Sequence, residues 1–427
     1  MGNRLDRNSI LILLFVIVVG IPMPSVFAQE VVRQDSVKAK VSYHETDSTK
    51  FNKDTIQDQN NDISPLDIGG SRGIFILSAD QMMQLRILGS IRTSIHYSDQ
   101  DMKDKQTFNP YEIPTDLEVI SPNFFAGLQQ TRLGIEVTRR TKTRGDVFIR
   151  LEGDFKNSST TFRIRHAYGQ IGRILVGQTW SLMNNVVYQP AIVSLDGPAN
   201  GSGLRTPQIR YSHTINNNLS WAAAIEYSAP DIEFPDSVSV SLLQVIPNLT
   251  GRFSFRNDRL SFRVSGVIST ISGRVETKDI SYAFGYAGSF AGMIRVSKKG
   301  QFYLSFSGGR ATSHFLDMFN GNNEDMAYDP NTKTFEALDF YGGYLAYGYT
   351  LPKNFSTSIS LGMAAIQNTD FQPETDYRYS YNALLNLFWE PVKGARLGIE
   401  FANGRRLNKS DGWGAANRIS MLMYYDF

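Results

Sequence analysis

The sequence lacks several features that would point to catalysis or nucleic-acid binding. None of its 427 residues is cysteine, which excludes disulfides, thiolate metal sites and cysteine nucleophiles. Its formal net charge is only +2, whereas a nucleic-acid-binding protein carries a large basic excess or a basic face. It contains no HExxH motif and no spacing typical of metal ligands. We therefore expect no catalytic residues, cofactor, metal or nucleic-acid partner, and predict that the protein is not an enzyme.

Long apolar runs are also absent, except at the amino terminus. Arg4 and Arg7 precede an apolar run at 11–20, and the small side chain of Ala28 suits a signal peptidase site. This pattern predicts a cleaved signal peptide at residues 1–28. A membrane-anchor helix is the alternative, although the run is shorter than a bilayer-spanning helix requires. An exported chain without a further apolar run is either soluble or a transmembrane β-barrel.

Residues 29–80 are rich in polar side chains, and we expect a periplasmic lead-in that is partly disordered. Within it, the apolar segment GIFILSAD at 73–80 could be a hairpin arm or a plug-like segment. From 81 to 427, segments of about ten residues alternate apolar with polar side chains, and tight turns alternate with long loops. The pattern predicts an all-β fold, a 16-stranded antiparallel transmembrane β-barrel with short periplasmic turns and long extracellular loops.

The predicted strands can be stated as ranges. They are 83–97, 129–139, 146–156, 161–170, 174–180, 207–213, 219–227, 249–256, 259–272, 282–296, 301–311, 335–350, 355–367, 377–389, 395–402 and 415–427. The last strand lies in RISMLMYYDF (418–427), which keeps its alternation to the final residue, so we expect it to close the barrel against the first strand. A soluble sandwich or propeller is the alternative, but no repeated blade motif occurs, and aromatic residues near the segment ends are typical of membrane-interface girdles.

Alternation also assigns side chains to the inner or outer face of the barrel. The inner-face residues of the second to sixth strands include Arg132, Arg150, Arg163, Arg165, Arg210, Glu136, Glu152 and Asp154. Fixed guanidinium groups concentrate anions and bind carboxylates bidentately, so this wall predicts a pore that prefers small anions, especially carboxylates. Alternatively, the arginines pair with the acids and keep the wall wet and rigid. His166 and His213 are expected to point outward.

The stretch from 183 to 206 is the third long loop and is rich in proline and glycine. Long ordered loops are often functional, so we expect it to fold into the lumen as a constriction loop, with Asp196 among the pore-lining residues. The alternative is an external loop that caps the mouth.

Several of these segments resemble the DcaP-like outer-membrane porins. They are FRIRHAYGQIGRILVGQTWS (162–181), DGPANGSGLRTPQIRYS (196–212), TRLGIEV, LEGDF, LGIEFANGRR and the ANRI…YYDF ending. The resemblance covers about 129–427. It implies a homotrimer of sixteen-stranded barrels in the outer membrane of a Gram-negative bacterium, surrounded by outer-membrane lipid and taking up small anionic, often dicarboxylic, solutes. It further implies that Arg163, Arg165 and Arg210 line the pore, with Arg132 and Arg150 close by.

The sequence thus predicts an outer-membrane porin, a passive diffusion channel for small hydrophilic solutes with a preference for anions. Two other functions stay open. One is a binding or adhesion barrel that acts through its external loops, and the other is an outer-membrane barrel hydrolase.

Overall fold

A computed structural model describes residues 72–115, 121–141, 145–156, 161–232, 240–242, 245–275, 281–410 and 412–427. The predicted signal peptide and the predicted lead-in up to residue 71 lie outside these described residues. Within them, no helix is long and apolar enough to cross a membrane.

The described residues form β-strands and three single-turn 3-10 helices. The strands are β1 (Ile74–Leu77), β2 (Met83–Ser98), β3 (Asn123–Gly127), β4 (Arg132–Arg139), β5 (Val147–Asp154), β6 (Arg163–Ile171), β7 (Ile174–Trp180), β8 (Arg205–Thr214), β9 (Leu219–Glu226), β10 (Val240–Leu242), β11 (Asn248–Arg256), β12 (Leu260–Val275), β13 (Ser281–Arg295), β14 (Gly300–Arg310), β15 (Met326–Asp329), β16 (Thr334–Ala337), β17 (Asp339–Thr350), β18 (Phe355–Gln367), β19 (Tyr377–Val392), β20 (Ala395–Asn408) and β21 (Trp413–Asp426). The 3-10 helices are Pro110–Glu112, Val186–Tyr188 and Ser313–Phe315.

The long strands form a closed antiparallel barrel with sixteen strand positions, as predicted. β3 and β4 share one position, because β3 pairs with the second half of β2 and β4 pairs with the first half. The barrel closes where β21 pairs with β2, from Ser90 opposite Asp426 to Ser98 opposite Arg418. The closure predicted for the last strand is therefore confirmed, whereas the single strand predicted at 129–139 is interrupted before Arg132.

The segment GIFIL forms a hairpin arm rather than a plug. β1 pairs with β2 in antiparallel register, with Ile74 opposite Ile87. Arg72, just before β1, donates a hydrogen bond of 2.8 Å to the carboxylate of Asp426 at the end of β21. The arm therefore continues the line of β21 along the edge of β2.

Period-two alternation separates an apolar outer face from an inner face that is largely polar. In β21, Ile419, Met421 and Met423 point outward and remain about half exposed, whereas Leu422 and Tyr424 point inward and are buried. An apolar outer face without a protein partner is what a barrel in hydrocarbon presents to lipid.

The long loops leave one end of the barrel, and three of them fold inward. We call them the first loop (99–115), the third loop (181–204) and the sixth loop (311–338). The backbone N–H of Phe108 in the first loop donates to Ser194 Oγ in the third, at 3.2 Å. Ser202 Oγ in the third loop donates to the carbonyl of Phe315 in the sixth, at 2.7 Å. These contacts join the three loops into one layer.

Candidate pore and its arginine patch

Strand register brings the charged inner-face residues of β2, β4, β5 and β6 side by side. Opposite residues on adjacent strands share a face, so charges in one row interact directly. Two rows alternate in sign across the wall, Arg132–Asp154–Arg163 and Arg86–Glu136–Arg150. The register therefore places Arg132, Glu136, Arg150, Asp154 and Arg163 on one face of the wall.

The first row is joined to Glu152 by Arg165. Arg163 donates two hydrogen bonds to the Asp154 carboxylate, from Nε at 2.9 Å and from Nη2 at 2.8 Å. Arg165 donates from Nε to Glu152 at 3.0 Å and from Nη1 to Asp154 at 3.1 Å. The Arg163 side chain is 39% exposed and that of Arg165 only 6%. Arg163 is therefore the more accessible of these two guanidinium groups.

The second row shares the carboxylate of Glu136. Arg86 Nη1 lies 2.9 Å from Glu136 Oε2, and Arg150 Nη1 lies 3.4 Å from Oε1. Arg150 also donates to Glu152 from Nη2, so Glu152 connects the two rows. We call the resulting group the arginine patch, which consists of Arg86, Arg132, Arg150, Arg163, Arg165, Glu136, Glu152 and Asp154.

The prediction that His166 points outward is wrong. The register of β5 and β6 shifts, because Glu152 pairs with His166 while Gly153 pairs with Ile164. Arg165 is thus the extra residue of a β-bulge, which reverses the alternation after it. His166 lies on the inner face, buried, with Nδ1 3.0 Å from Thr179 Oγ1.

His213 lies on the outer face, as predicted. It is opposite Trp221 across the β8–β9 pair, and their rings are 6.0 Å apart. Tyr211 stands beside them, with its ring 5.5 Å from that of Trp221. This outward aromatic group is typical of a membrane-interface girdle.

Beside the arginine patch, Trp180 contacts further basic residues. Arg210 donates from Nε to Gln208 at 2.8 Å and from Nη2 to the carbonyl of Trp180. The guanidinium of Arg205 lies 4.0 Å from the Trp180 ring centroid, and that of Arg165 lies 5.9 Å from it. Both distances suit cation–π contacts. Arg210 is therefore linked to the patch through Trp180.

One predicted pore-lining residue, Asp196, lies outside the arginine patch, and two basic residues in or beside the patch were not predicted. Asp196 lies on the third loop, where its ion pair is with Lys156 at 3.6 Å. Arg86 was missed although alternation in MQLRILG already places it on the inner face. Arg205 was missed because the strand was predicted to start at 207, whereas β8 begins at Arg205.

The third loop spans the lumen between two buried glutamates. Glu226 on β9 accepts a hydrogen bond from the backbone N–H of Leu182, at 2.9 Å. Glu400 on β20 accepts from the backbone N–H groups of Val193 and Ser194, at 3.0 and 2.9 Å. Both carboxylates hold the loop. Buried N–H groups need such partners, so these carboxylates fix the loop on two sides of the barrel.

Two carboxyl groups of the sixth loop have raised pKa values. Burial, together with the nearby carboxylate of Asp196, raises the pKa of Asp317 to about 7, although the N–H of Gly203 donates to it at 2.8 Å. Burial also raises the pKa of Glu324 to about 7, against the effect of the Tyr111 hydroxyl, which donates to it at 2.6 Å. The inner loop layer therefore gains negative charge around neutral pH.

A hydrogen-bonded relay ties the loop that follows β9 to the sixth loop. His314 Nδ1 lies 2.6 Å from Asp325 Oδ2, and His314 Nε2 lies 3.0 Å from Ser228 Oγ. Asn248 Nδ2 also donates to Ser228 Oγ, at 2.6 Å. The relay was missed because its members lie far apart in the sequence. No group of three or more potential metal ligands occurs in the part of the chain that the structure describes.

Comparison with known proteins agrees with this geometry. The family model described as "DcaP outer membrane protein" matches residues 52–427. The chain belongs to the DcaP outer membrane protein family. The family and the barrel fold place it in the outer membrane of a Gram-negative bacterium, with the architecture of a porin channel. In such barrels the short turns face the periplasm and the long loops face outward. No curated protein matches the chain.

Solved structures share the fold at low sequence identity. The DcaP channel of Acinetobacter baumannii has 20% identity and a TM-score of 0.72, over 82% of this chain and 99% of that chain. An anion-selective porin from Comamonas acidovorans has 10% identity and a TM-score of 0.56, over 81% and 100%. A trimer form of OmpT from Vibrio cholerae has 12% identity and a TM-score of 0.50, over 81% and 99%.

Proposed function

We propose that this DcaP-family porin is a passive channel that prefers small hydrophilic anions, especially carboxylates and dicarboxylates. The observation that carries the proposal is the composition of the arginine patch, in which five arginines face three carboxylates. Arg205 and Arg210 add positive charge beside it. A wall with net positive charge raises the local anion concentration.

The contacts of the arginines indicate which of them stabilise the wall and which can meet a passing solute. Arg165 is buried between Glu152 and Asp154, where it holds both carboxylates. Arg163 is held by Asp154 through two of its nitrogen atoms and still exposes part of its guanidinium to the lumen. A passing carboxylate meets Arg163 first, and the adjacent acids weaken its hold. A solute held too tightly would not leave the channel.

We further propose that the third loop sets the constriction. Its attachments to Glu226 and Glu400 carry it across the lumen, and Asn185 Nδ2 donates to Ser305 Oγ on β14 at 3.0 Å. Because the loop is bound to three separate strands, we expect it to narrow the channel as a fixed partition, with Asp196 at its extracellular side.

The descriptions of two structural relatives support the proposed anion preference and a trimeric assembly. The Comamonas acidovorans protein is described as an anion-selective porin, and one OmpT structure is described as a trimer form. We propose that this chain also forms a homotrimer within outer-membrane lipid. Mass determination of the detergent-solubilised protein tests the assembly, and a monomeric mass would contradict it.

The selectivity is tested by the reversal potential of the purified protein in a planar bilayer under a potassium chloride gradient. We expect stepwise conductance and a reversal potential displaced toward that of chloride. A displacement toward potassium would retain the porin and refute the anion preference. Absence of conductance would favour the binding or hydrolase alternatives, which predict ligand retention by the loops or turnover.

A further inference from the structure

A second basic region lies on the other side of the barrel, at its periplasmic end. A cavity of about 910 Å³ is lined by residues of β13, β14 and β17–β20 and by the turns that join them. The charged side chains of its lining are those of Arg295, Lys298, Lys299, Lys393 and Arg396, with Glu390 as the acidic member. We call this cavity the periplasmic vestibule.

The single acid of the vestibule is already neutralised. Glu390 Oε2 lies 2.9 Å from Arg396, and its Oε1 lies 3.3 Å from Arg72. Lys298, Lys299 and Lys393 are exposed, and none forms an ion pair with a described residue. Three lysine charges therefore face the vestibule without a counter-charge from the described part of the chain.

The vestibule continues up to the third loop. Pro190 and Ala191 of that loop form part of its lining. The Ala191 carbonyl accepts hydrogen bonds from Asn386 Nδ2 at 2.9 Å and from Ser358 Oγ at 3.3 Å, and both of these residues also line the cavity. The loop is therefore the roof of the vestibule, and the basic turns surround its open end.

We propose that the periplasmic vestibule is a second anion-attracting region, which concentrates small anions below the third loop and makes conduction asymmetric. This inference rests on the proposed passage of anions. Lysine is a compact, strongly hydrated point charge, whereas arginine binds carboxylates through a planar fork. The exposed lysines therefore concentrate anions without holding them, so the vestibule favours release and the arginine patch favours recognition.

The position of the lysines sets the direction of the asymmetry. Anions accumulate at the periplasmic mouth, so a voltage that drives anions from the periplasmic side draws on the enriched supply. The screening length is about 10 Å at 0.1 M salt and about 3 Å at 1 M. We therefore expect the currents at the two polarities to differ by about twofold at 0.1 M potassium chloride, and to become equal at 1 M.

The test is the current–voltage curve of single channels formed by the full-length protein. The first variant carries Lys298→Gln, Lys299→Gln and Lys393→Gln. The matched control carries Arg139→Gln, Arg173→Gln and Arg259→Gln, which removes three charges from the periplasmic end at positions outside the vestibule lining. The chain has no cysteine, so a separate Lys298→Cys variant, treated with a charged thiosulfonate reagent from one chamber, identifies the orientation of each channel.

The lysine variant should conduct equally at both polarities in 0.1 M salt, while the control keeps the asymmetry. The lysine variant should also keep a reversal potential on the chloride side, because the arginine patch is intact. Equal currents in the unmodified protein, or asymmetry that survives the three lysine substitutions, would overturn the vestibule proposal. A reversal potential of the unmodified protein on the potassium side would refute the proposed anion preference instead.

Discussion

Replacing Arg163 and Arg165 by alanine tests the arginine patch most directly. Five arginines and three carboxylates leave the patch with a net charge of +2, and the double variant leaves three of each. The second row, centred on Glu136, keeps its contacts because neither replaced residue touches it. We therefore expect the anion preference to decrease strongly while the barrel still forms.

The expected magnitude follows from Coulomb interaction in water. An anion passing about 6 Å from two net positive charges is stabilised by about 1.4 kcal/mol at the dielectric constant of water. That energy corresponds to an enrichment of about tenfold, which salt screening reduces. Most of this enrichment should disappear in the double variant.

The assay is the reversal potential in a potassium chloride gradient, with two comparison variants. Arg163→Lys with Arg165→Lys retains both charges and should stay selective for chloride. Glu152→Gln with Asp154→Asn removes two negative charges and should raise the preference for chloride. A reversal potential that does not change in the alanine variant would refute the reasoning, because the patch would then have no influence on passing ions.

Three further predictions concern the loops and the wall. Glu400→Ala should produce faster current fluctuations and a higher mean single-channel conductance. Loss of the carboxylate leaves two buried N–H groups of the third loop unpaired, at a cost of about 1–3 kcal/mol. A steady, unchanged current would contradict this anchoring. Anion preference should fall as pH rises from about 6 to about 8, because Asp317 and Glu324, both with a pKa of about 7, lose their protons and add negative charge. A variant with Asp317→Asn and Glu324→Gln should show a smaller change in reversal potential over the same pH range. Gly177→Ala should lower the free energy of unfolding in urea by about 1–3 kcal/mol, because Gly177 has φ +129° and an added Cβ would lie 2.3 Å from the carbonyl oxygen of Ala167. The control Gly251→Ala should have little effect, because an added Cβ there meets nothing within 4 Å.

The strands could be predicted because lipid imposes a strict alternation on them. The strands at 174–180 and 355–367 have their predicted bounds. The strand predicted at 395–402 continues to Asn408. The extension was not predicted, because its outward positions include the polar side chains of Asn403 and Arg405. Alternation predicts a strand only where one of its faces is apolar, so this part of β20 could not be recognised.

The arginine patch could be predicted in part for the same reason. Arg132, Arg150 and Arg163 follow from alternation, but the bulge at Arg165 does not, since nothing in RIRHA distinguishes a bulged strand from a regular one. The anchoring roles of Glu226 and Glu400 could not be predicted either. They depend on the path of a loop whose partners lie up to about two hundred residues away in the chain.

The seam between β2 and β21 has a consequence for how the barrel assembles. Its closing contacts join residues as distant as Ser90 and Asp426, 336 positions apart. Contacts of such high sequence separation form late and slowly, so both edge strands of the growing sheet stay open until β21 arrives. Open edges readily pair with other chains. We expect the unfinished sheet to depend on protection by other proteins until the seam forms, and closure to be the step that ends its exposure to aggregation.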